Sequence, residues 1–356
     1  MDILVKKGAL SRTRLAQIPQ APLSEGDVRL RVDLFSLTAN NVTYGAMGDQ
    51  LGYWRFFPSP EEGWGRAPVW GFATVSESLV AGIRGGERVY GFLPMSDEIV
   101  IRPGPIRNGA FADTALHRQG LAPVYNSYVF TSGDSLYSPG TEALQALFRP
   151  LFTTSFLIDD FMAEAGFFGA RQIILSSASS KTAYAAAERL SVRRAVRVIG
   201  LTSPANAAFT SGLGVYDGVL SYDGLEALDA TEPALFIDIA GNQQVREAVH
   251  RRLDGALRYS CAVGATHWDA PRSGGPLRGP KPEMFFAPDV ARKRIAAWGL
   301  AGFSERIGDA WAAFLPFAAR TTSLAERHGL EAAGHVFSDL ASGRTRPADG
   351  HVIRLD

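Results

Sequence analysis

The sequence has one cysteine, Cys261, among its 356 residues. A single cysteine excludes an intramolecular disulfide and a zinc cluster built from several cysteines. The chain also lacks an excess of either charge, because Lys+Arg and Asp+Glu both number 36, and this balance favours neither nucleic acid nor an anionic membrane surface as a partner. The sequence shows no N-terminal signal pattern and no apolar run of bilayer-spanning length, so we expect a cytoplasmic protein.

The remaining composition is that of an ordinary globular protein. Hydrophobic residues make up 46% of the chain and charged residues 20%. A chain of 356 residues is long enough for two domains with separate cores. Cys261 stands inside an apolar run, which predicts a buried and unreactive thiol.

Four short apolar runs in the second half of the chain have the spacing of a nucleotide-binding fold. They are Arg171–Ser176, Val196–Leu201, Leu235–Gly241 and Leu257–Gly264, and the first is followed by a helical pattern at Thr182–Leu190. Apolar runs that alternate with helices predict a parallel sheet with helices on both faces. Such sheets bind ligands beyond the carboxyl ends of their strands, with a phosphate at a helix N-terminus. This order predicts a dinucleotide-binding domain.

The glycine fingerprint of dinucleotide-binding turns is missing. Its positions hold Ser177, Ser180 and Ala183, in a run that also contains Ser179 and Lys181. Small side chains let a backbone approach a pyrophosphate, although less closely than glycine does. The turn predicts a nucleotide site formed by the three serines, in which Lys181 meets a phosphate. The alternatives are an α/β core without a ligand, and a surface role for Lys181.

The first 125 residues predict short strands separated by turns. The candidate strands are Asp27–Leu34, Pro68–Val75, Arg88–Phe92 and Phe111–Leu116. The pattern then changes to two helices, at Glu142–Phe148 and Phe152–Ala165. Towards the end of the chain we expect a short strand that opens at Phe285, further helices, and a final strand at His351–Leu355.

Four segments match the motifs of one superfamily in the order in which that superfamily has them. They are Gly85–Gly91 (GGERVYG), Gly109–Asp113 (GAFAD), Leu235–Gly241 (LFIDIAG), and Leu330–Gly343 with Arg344–Leu355 behind it. The sequence thereby resembles the medium-chain dehydrogenase/reductase superfamily, particularly its zinc-free quinone and enoyl reductases. The resemblance implies an α/β protein, with a GroES-like β-rich domain (residues 1–130 with 315–356) and a Rossmann domain with a doubly wound parallel sheet (residues 131–314). It also implies a homodimer.

The ligands that bind zinc in the alcohol dehydrogenase branch of this superfamily are missing. That branch would need a cysteine near Ala39 and a His-Glu pair near Gly71 and Phe72, and the sequence has neither. The comparison predicts chemistry without a metal.

The segment Leu37–Trp54 occupies the place of a loop that borders the active site in these enzymes. Asn40 matches the family asparagine, and Asn41 stands in place of a proline, so the resemblance implies substrate contacts for both. In enoyl reductases a tyrosine in this region donates a proton to the substrate, and Tyr53 matches its position, with Tyr44 as the rival. A phenol can hydrogen-bond a carbonyl oxygen and stabilise a developing enolate. The alternative is that both tyrosines only pack in an aromatic wall.

A second catalytic candidate is His267, in the stretch Gly264–Asp269 that follows the last apolar run. Loops at the carboxyl ends of the strands face the nicotinamide in this fold, so Gly264 would bind the cofactor and Trp268 the substrate. His267 could exchange protons near neutral pH. The resemblance also places Thr154 by the nicotinamide, in a segment expected to open a helix, where an N-cap role is the alternative.

The choice of cofactor depends on the residues after the second strand of the nucleotide fold. Thr202, Ser203 and Asn206 follow that strand, where NAD-specific sites place a carboxylate for the ribose hydroxyls. Hydroxyl and amide groups tolerate a 2′-phosphate, so NADP is favoured over NAD.

Aromatic residues are concentrated between Tyr53 and Phe72 and include Trp54, which predicts an apolar or aromatic substrate or else a core or interface role. The leading hypothesis is a zinc-independent, NADP-dependent reductase of an activated C=C or C=O. Two alternatives stay open. One is a redox-neutral lyase or isomerase in which His267 or a tyrosine moves protons, and the other is a non-catalytic binding protein on the same scaffold.

Overall fold

The computed structural model describes residues 1–19, 22–263 and 277–355. The chain divides into two compact units, Met1–Pro150 with Ala318–Asp356, and Leu151–Phe317. Within the described parts of the chain, no helix is long and apolar enough to cross a membrane.

The first part of the chain is rich in strands. In order, its elements are β1 (Asp2–Lys6), β2 (Thr13–Ala16), β3 (Val28–Leu37), α1 (Ala39–Ala46), β4 (Trp64–Gly65), β5 (Pro68–Ser78), β6 (Arg88–Pro94), β7 (Glu98–Ile101), β8 (Ala110–Ala112), β9 (Ser127–Phe130) and α2 (Glu142–Glu164).

Strands and helices alternate in the part that follows. The elements are β10 (Gln172–Leu175), α3 (Lys181–Arg193), β11 (Arg197–Thr202), α4 (Ala207–Gly212), β12 (Gly218–Ser221), β13 (Ala234–Asp238), α5 (Gln243–Leu253), β14 (Leu257–Ala262), β15 (Glu283–Met284), α6 (Ala287–Thr321), β16 (Ser323–His328), α7 (Leu330–Ala341) and β17 (Asp349–Arg354). The long helix α6 bends at Gly299, whose φ is +73°.

An eight-stranded, mostly antiparallel sheet forms the centre of the first unit. Its order is β16-β17-β3-β5-β6-β9-β8, with β7 also paired to β3, while β2, β1 and β4 form a smaller sheet. Along β3 the side chains of Val28, Leu30 and Val32 point alternately into the core. Gly71 on β5 pairs with β3 so closely that a Cβ there would lie 2.1 Å from the carbonyl oxygen of Leu34. This unit is the GroES-like, β-rich part of the fold.

The second unit has a six-stranded parallel sheet in the order β12-β11-β10-β13-β14-β15. Numbered within this unit, the order is 3-2-1-4-5-6, which is the doubly wound Rossmann topology. The four predicted strands are therefore confirmed as β10, β11, β13 and β14. The chain reverses its winding direction between β10 and β13, and the carboxyl ends of these two strands are where such sheets bind ligands.

Three local predictions were wrong. The strand expected at Phe111–Leu116 is limited to Ala110–Ala112, because its partner strand β9 begins only at Ser127, which lies opposite Ala112. The strand expected to open at Phe285 is Glu283–Met284. The two helices expected on either side of residue 150 are one helix, α2, which continues through Pro150.

Candidate functional site

Helix α1 sets two polar side chains one turn apart in the first unit. It begins after Thr38, whose side chain accepts a hydrogen bond from the backbone N–H of Asn40, while the Asn41 side chain accepts one from the backbone N–H of Thr38. Residues four apart face the same side of a helix. The Asn40 amide accordingly donates to the Tyr44 hydroxyl over 2.7 Å.

The Tyr44 hydroxyl is fixed by two donors. Besides Asn40, the indole N–H of Trp70 on β5 donates to it over 3.1 Å, so both lone pairs of the phenol oxygen are occupied. Tyr44 is only 5% exposed, and burial raises its pKa well above the ordinary value. This residue stays neutral and is held within the core.

Tyr53 lies beside Tyr44 and is partly exposed. It opens a one-turn helix, Tyr53–Arg55, after Gly52, which adopts a left-handed conformation with φ of +76°. The rings of Tyr53 and Tyr44 are 4.6 Å apart. The Tyr53 hydroxyl lies 3.1 Å from the hydroxyl of Tyr125. Burial raises the pKa of Tyr53, while the hydrogen bond to Tyr125 acts in the opposite direction.

Tyr125 was not predicted to belong to this group. It lies in the one-turn helix Pro123–Asn126, and its ring also contacts those of Tyr44 and Trp70, each at 6.0 Å between centroids. No local pattern marks it, because 72 residues separate it from Tyr53. We call Asn40, Tyr44, Tyr53, Trp70 and Tyr125 the tyrosine cluster.

The other two residues predicted to contact substrate in this segment are engaged within the fold. The Asn41 amide is buried and also donates to the carbonyl of Pro68 over 3.0 Å. Trp54 is buried against glycines of the first unit, and a Cβ on Gly48 would lie 2.1 Å from its indole nitrogen. The structure therefore brings Asn40, Tyr44 and Tyr53 together and directs the side chains of Asn41 and Trp54 into packing.

In the second unit, the run Ser176–Ser180, here called the serine turn, follows β10 at the point where the winding reverses. Ser177 has φ of +53°, a left-handed conformation in which glycine is the usual residue. Its backbone N–H donates to the hydroxyl of Tyr222 over 2.9 Å. Ser180 is the N-cap of α3 and accepts from the backbone N–H of Ala183. Tyr222 was missed by sequence reasoning, since 45 residues separate it from Ser177.

Buried hydrogen bonds lock the serine turn to the end of β13. The Ser176 hydroxyl accepts from the backbone N–H groups of Ile239 and Ala240, both over 2.9 Å, and donates to Asp238 over 2.8 Å. Asp238 in turn pairs with Arg246 of α5 at 2.7 Å. All three side chains of Ser176, Asp238 and Arg246 are buried, so the edge of the sheet is preorganised.

Three predicted cofactor-binding side chains meet at one point beside this turn. Thr202, at the end of β11, and Asn206 each donate to the Ser179 hydroxyl over 3.2 Å. Because the Ser179 oxygen accepts both bonds, its hydroxyl can still donate its own proton to another acceptor. Ser203 follows directly and is partly exposed, and Lys181 is the first residue of α3. We call Ser179, Thr202 and Asn206 the hydroxyl cluster.

The remaining predicted site residues lie elsewhere. Gly264, His267 and Trp268 fall outside the described residues. Thr154 lies in the middle of α2, so the expectation that its segment opens a helix was wrong, and the next residue, Ser155, donates to the carbonyl of Thr182 over 2.8 Å. No group of three or more His, Cys, Asp or Glu side chains in the described ranges could hold a metal ion.

A GroES-like unit and a Rossmann unit in one chain make a fold that this protein shares with solved quinone and enoyl reductases. CurA from Vibrio vulnificus, solved in complex with NADPH, has a TM-score of 0.57 and 15% identity, with 100% of this chain and 99% of that chain covered. The quinone oxidoreductase from Coxiella burnetii has a TM-score of 0.56 and 15% identity over 100% and 99% of the two chains. The yhdH oxidoreductase from Salmonella enterica, solved in complex with NADP, has a TM-score of 0.55 and 14% identity over 99% of each chain.

Sequence comparison places the chain more narrowly. Residues 35–346 match the family described as "Protein of unknown function (DUF2855)", and the chain belongs to that family. No curated protein matches it in sequence.

Proposed function

We propose that this protein is a zinc-independent, NADP-dependent reductase of an activated C=C or C=O bond in an apolar or aromatic substrate. The observation that carries the proposal is the hydroxyl cluster beside the serine turn, at the carboxyl edge of a Rossmann sheet. That edge is where this topology binds dinucleotides. The NADPH complex of CurA and the NADP complex of the yhdH oxidoreductase, which share the fold, support the same cofactor.

The donor set at this edge fits a dinucleotide with a 2′-phosphate. Ser179, Thr202 and Asn206 offer hydroxyl and amide groups, and residues 201–206 contain no carboxylate to repel a phosphate. Ser177 holds the left-handed conformation that the turn requires, without a glycine. The Tyr222 hydroxyl, which accepts from Ser177, retains its own proton to donate. These residues would hold the pyrophosphate and the adenosine phosphate.

The absence of space for a ligand side chain supports zinc independence. The alcohol dehydrogenase branch carries a zinc ligand near the position of Gly71. Gly71 has no room for a side chain, since a Cβ would lie 2.1 Å from the carbonyl oxygen of Leu34. The neighbouring Phe72 is fully buried in the core. Polarisation of the substrate oxygen therefore falls to a side chain rather than to a metal.

NADPH supplies a hydride when it is bound. As the substrate carbon accepts it, electron density moves onto the substrate oxygen, and we assign the proton that this oxygen receives to the Tyr53 hydroxyl. Tyr53 suits this role better than Tyr44 because it is partly exposed, whereas the Tyr44 oxygen is buried and accepts from two donors. Tyr44 with Asn40 and Trp70 then forms a rigid backing for the Tyr53 ring. Solvent returns the proton to Tyr53.

One observation favours a second function. The N–H of Ser177, which a glycine-rich turn would offer to phosphate, already donates to Tyr222. A binding protein that kept the scaffold without redox chemistry would tolerate this arrangement. The lyase or isomerase hypothesis depended on His267, which lies outside the described residues, or on a tyrosine. Net oxidation of NADPH separates the reductase from both alternatives.

The first test is a calorimetric titration of the purified protein with NADPH, NADP, NADH and NAD. We expect the two phosphorylated forms to bind more tightly. The protein would then be screened with enones, quinones and aromatic aldehydes for loss of NADPH absorbance. Absence of binding by all four dinucleotides would contradict the proposal. The homodimer stays a prediction, which the particle mass in solution tests.

A further inference from the structure

A buried arginine, Arg118, forms a hydrogen bond with the backbone of Tyr125. The Arg118 guanidinium donates to the Tyr125 carbonyl over 3.3 Å and to the Tyr128 hydroxyl over 3.3 Å. Arg118 pairs with Asp113 at 2.8 Å, and both side chains are almost fully buried. Separating this pair would leave an uncompensated charge in the core, which is strongly unfavourable. The short helix that carries Tyr125 is therefore fixed in place.

Aromatic rings confine the Tyr125 ring on several sides. Its centroid lies 4.7 Å from that of Phe92 and 5.5 Å from that of Phe56. It meets the Tyr53 ring edge-on, at 5.4 Å and an interplanar angle of 81°. Edge-to-face contacts at these distances are favourable and directional. Packed in this way, the Tyr125 ring places its hydroxyl 3.1 Å from the Tyr53 hydroxyl.

Each phenol has a single proton, so only one of these two hydroxyls donates to the other at any time. When Tyr53 donates to Tyr125, its proton is engaged and is not available to a substrate. When Tyr125 donates to Tyr53, the Tyr53 proton is free to be given away. The same hydrogen bond stabilises the Tyr53 phenolate that remains after the proton has left.

We propose that Tyr125 is the positioning residue of the site, which donates a hydrogen bond to the Tyr53 oxygen and thereby directs the Tyr53 proton towards the substrate. The inference rests on the proposed function, because it deepens the role assigned to Tyr53. No motif of the superfamily resemblance covers Tyr125, which lies twelve residues after Asp113, the last residue of the Gly109–Asp113 motif.

Burial is the main influence on the pKa of both tyrosines of this pair. Burial and the neighbouring hydroxyls of Tyr44 and Tyr53 raise the pKa of Tyr125 well above its ordinary value. The pKa of Tyr53 is raised by burial and lowered by its bond to Tyr125. The groups that face Tyr53 are thus the two phenols, from α1 and from the helix Pro123–Asn126.

The first experiment needs neither cofactor nor substrate. 3-Fluorotyrosine is placed at position 53 in the full chain, and its ionisation is followed by fluorine NMR with and without the substitution Tyr125→Phe. This substitution keeps the ring and removes only the hydroxyl. We expect the pKa at position 53 to rise by about one unit in the variant, because a hydrogen bond to a charged group is lost. An unchanged pKa would overturn the inference.

The second experiment uses turnover with the best substrate of the screen. Tyr125→Phe should lower kcat by about tenfold, in line with a one-unit change in pKa, while KM and NADPH affinity stay the same. In a Tyr53→Phe background the same substitution should have no further effect. An equal slowing in both backgrounds would assign Tyr125 a structural role and reject the inference.

A matched control is Tyr137→Phe, since the Tyr137 hydroxyl donates to Glu142 and lies outside the tyrosine cluster. Turnover of this variant should equal that of the wild type. If the wild type transfers no hydride to any substrate, the proposed function fails. The NMR titration still decides in that case whether Tyr125 donates to Tyr53.

Discussion

The Ser36 hydroxyl donates a 2.6 Å hydrogen bond to the backbone carbonyl of Ala146. This carbonyl lies four residues before Pro150, which has no N–H to offer it. A buried carbonyl without a donor would cost free energy, and Ser36 of β3 supplies the donor from another element. The bond explains why α2 continues through a proline that predicted a break between two helices.

Substitution Ser36→Ala should lower the free energy of unfolding of the first unit by about 1–3 kcal/mol, because it leaves the Ala146 carbonyl buried and unsatisfied. The measurement is chemical denaturation followed by circular dichroism. In a Pro150→Ala background the cost should shrink, since residue 150 then has an N–H for that carbonyl. An equal cost in both backgrounds would contradict this account of the helix.

Substitution Tyr53→Phe should reduce turnover by about a hundredfold or more, which is the range for loss of a general acid. NADPH affinity should not change, because the hydroxyl cluster and the serine turn are untouched. Steady-state kinetics and calorimetry on the same preparation check both halves. Turnover at the wild-type level would move the role of proton donor to Tyr44 or to another residue.

Substitution Ser203→Asp should shift the preference from NADP towards NAD. A carboxylate at the end of β11 repels the 2′-phosphate and can accept from the ribose hydroxyls instead. We expect the ratio of the two dissociation constants to change by roughly tenfold, or about 1.4 kcal/mol. The control is Ser211→Asp, on an exposed position of α4. A ratio that moves equally in both variants, or in neither, would show that the recognition segment lies elsewhere.

The buried His250 should make the second unit sensitive to acid. Its Nδ1 lies 2.8 Å from the carbonyl oxygen of Arg278 and its Nε2 lies 2.9 Å from the Ser260 hydroxyl. Burial lowers the pKa of His250 below the ordinary value of about 6.5. Since the folded state favours the neutral ring, its stabilising effect is complete above about pH 6.5 and is lost as the pH falls towards the folded pKa.

Denaturation at pH 7.5 and at pH 5 tests this sensitivity. The wild type should lose more stability between the two values than the variant His250→Gln does. The exposed His335 provides the control variant, His335→Gln, which should behave as the wild type. An identical loss in His250→Gln and in the wild type would assign the acid sensitivity to other groups.

The sequence predicted those parts of the fold that apolar runs reveal. Strands β10 and β13 are buried along their whole length, and β11 and β14 are buried apart from Arg197, Ile199 and Arg258, so each contains a largely apolar run. Strand β12 was missed because all four of its residues are only half buried. It lies at the edge of the sheet, where no strong apolar signal is needed.

The candidate site was less accessible to prediction, because its contacts join distant parts of the chain. Tyr125 reaches Tyr53 across 72 residues, and Tyr222 reaches Ser177 across 45. Nothing in the neighbourhood of either tyrosine marks it as a partner. The superfamily motifs did not help either, since they end before Tyr125 or begin after Tyr222. Such partners become visible only when the sheets bring separate segments together.

Strand β17 pairs directly with β3, with His351 opposite Leu37. In chain order, more than 300 residues separate the two strands, and the whole of the second unit lies between them. During synthesis, the edge of β3 that pairs with β17 therefore stays partly unpaired until the whole second unit has been made. The first unit is therefore completed after the second. A nascent chain arrested before β17 would expose an unpaired strand edge, to which other chains can pair.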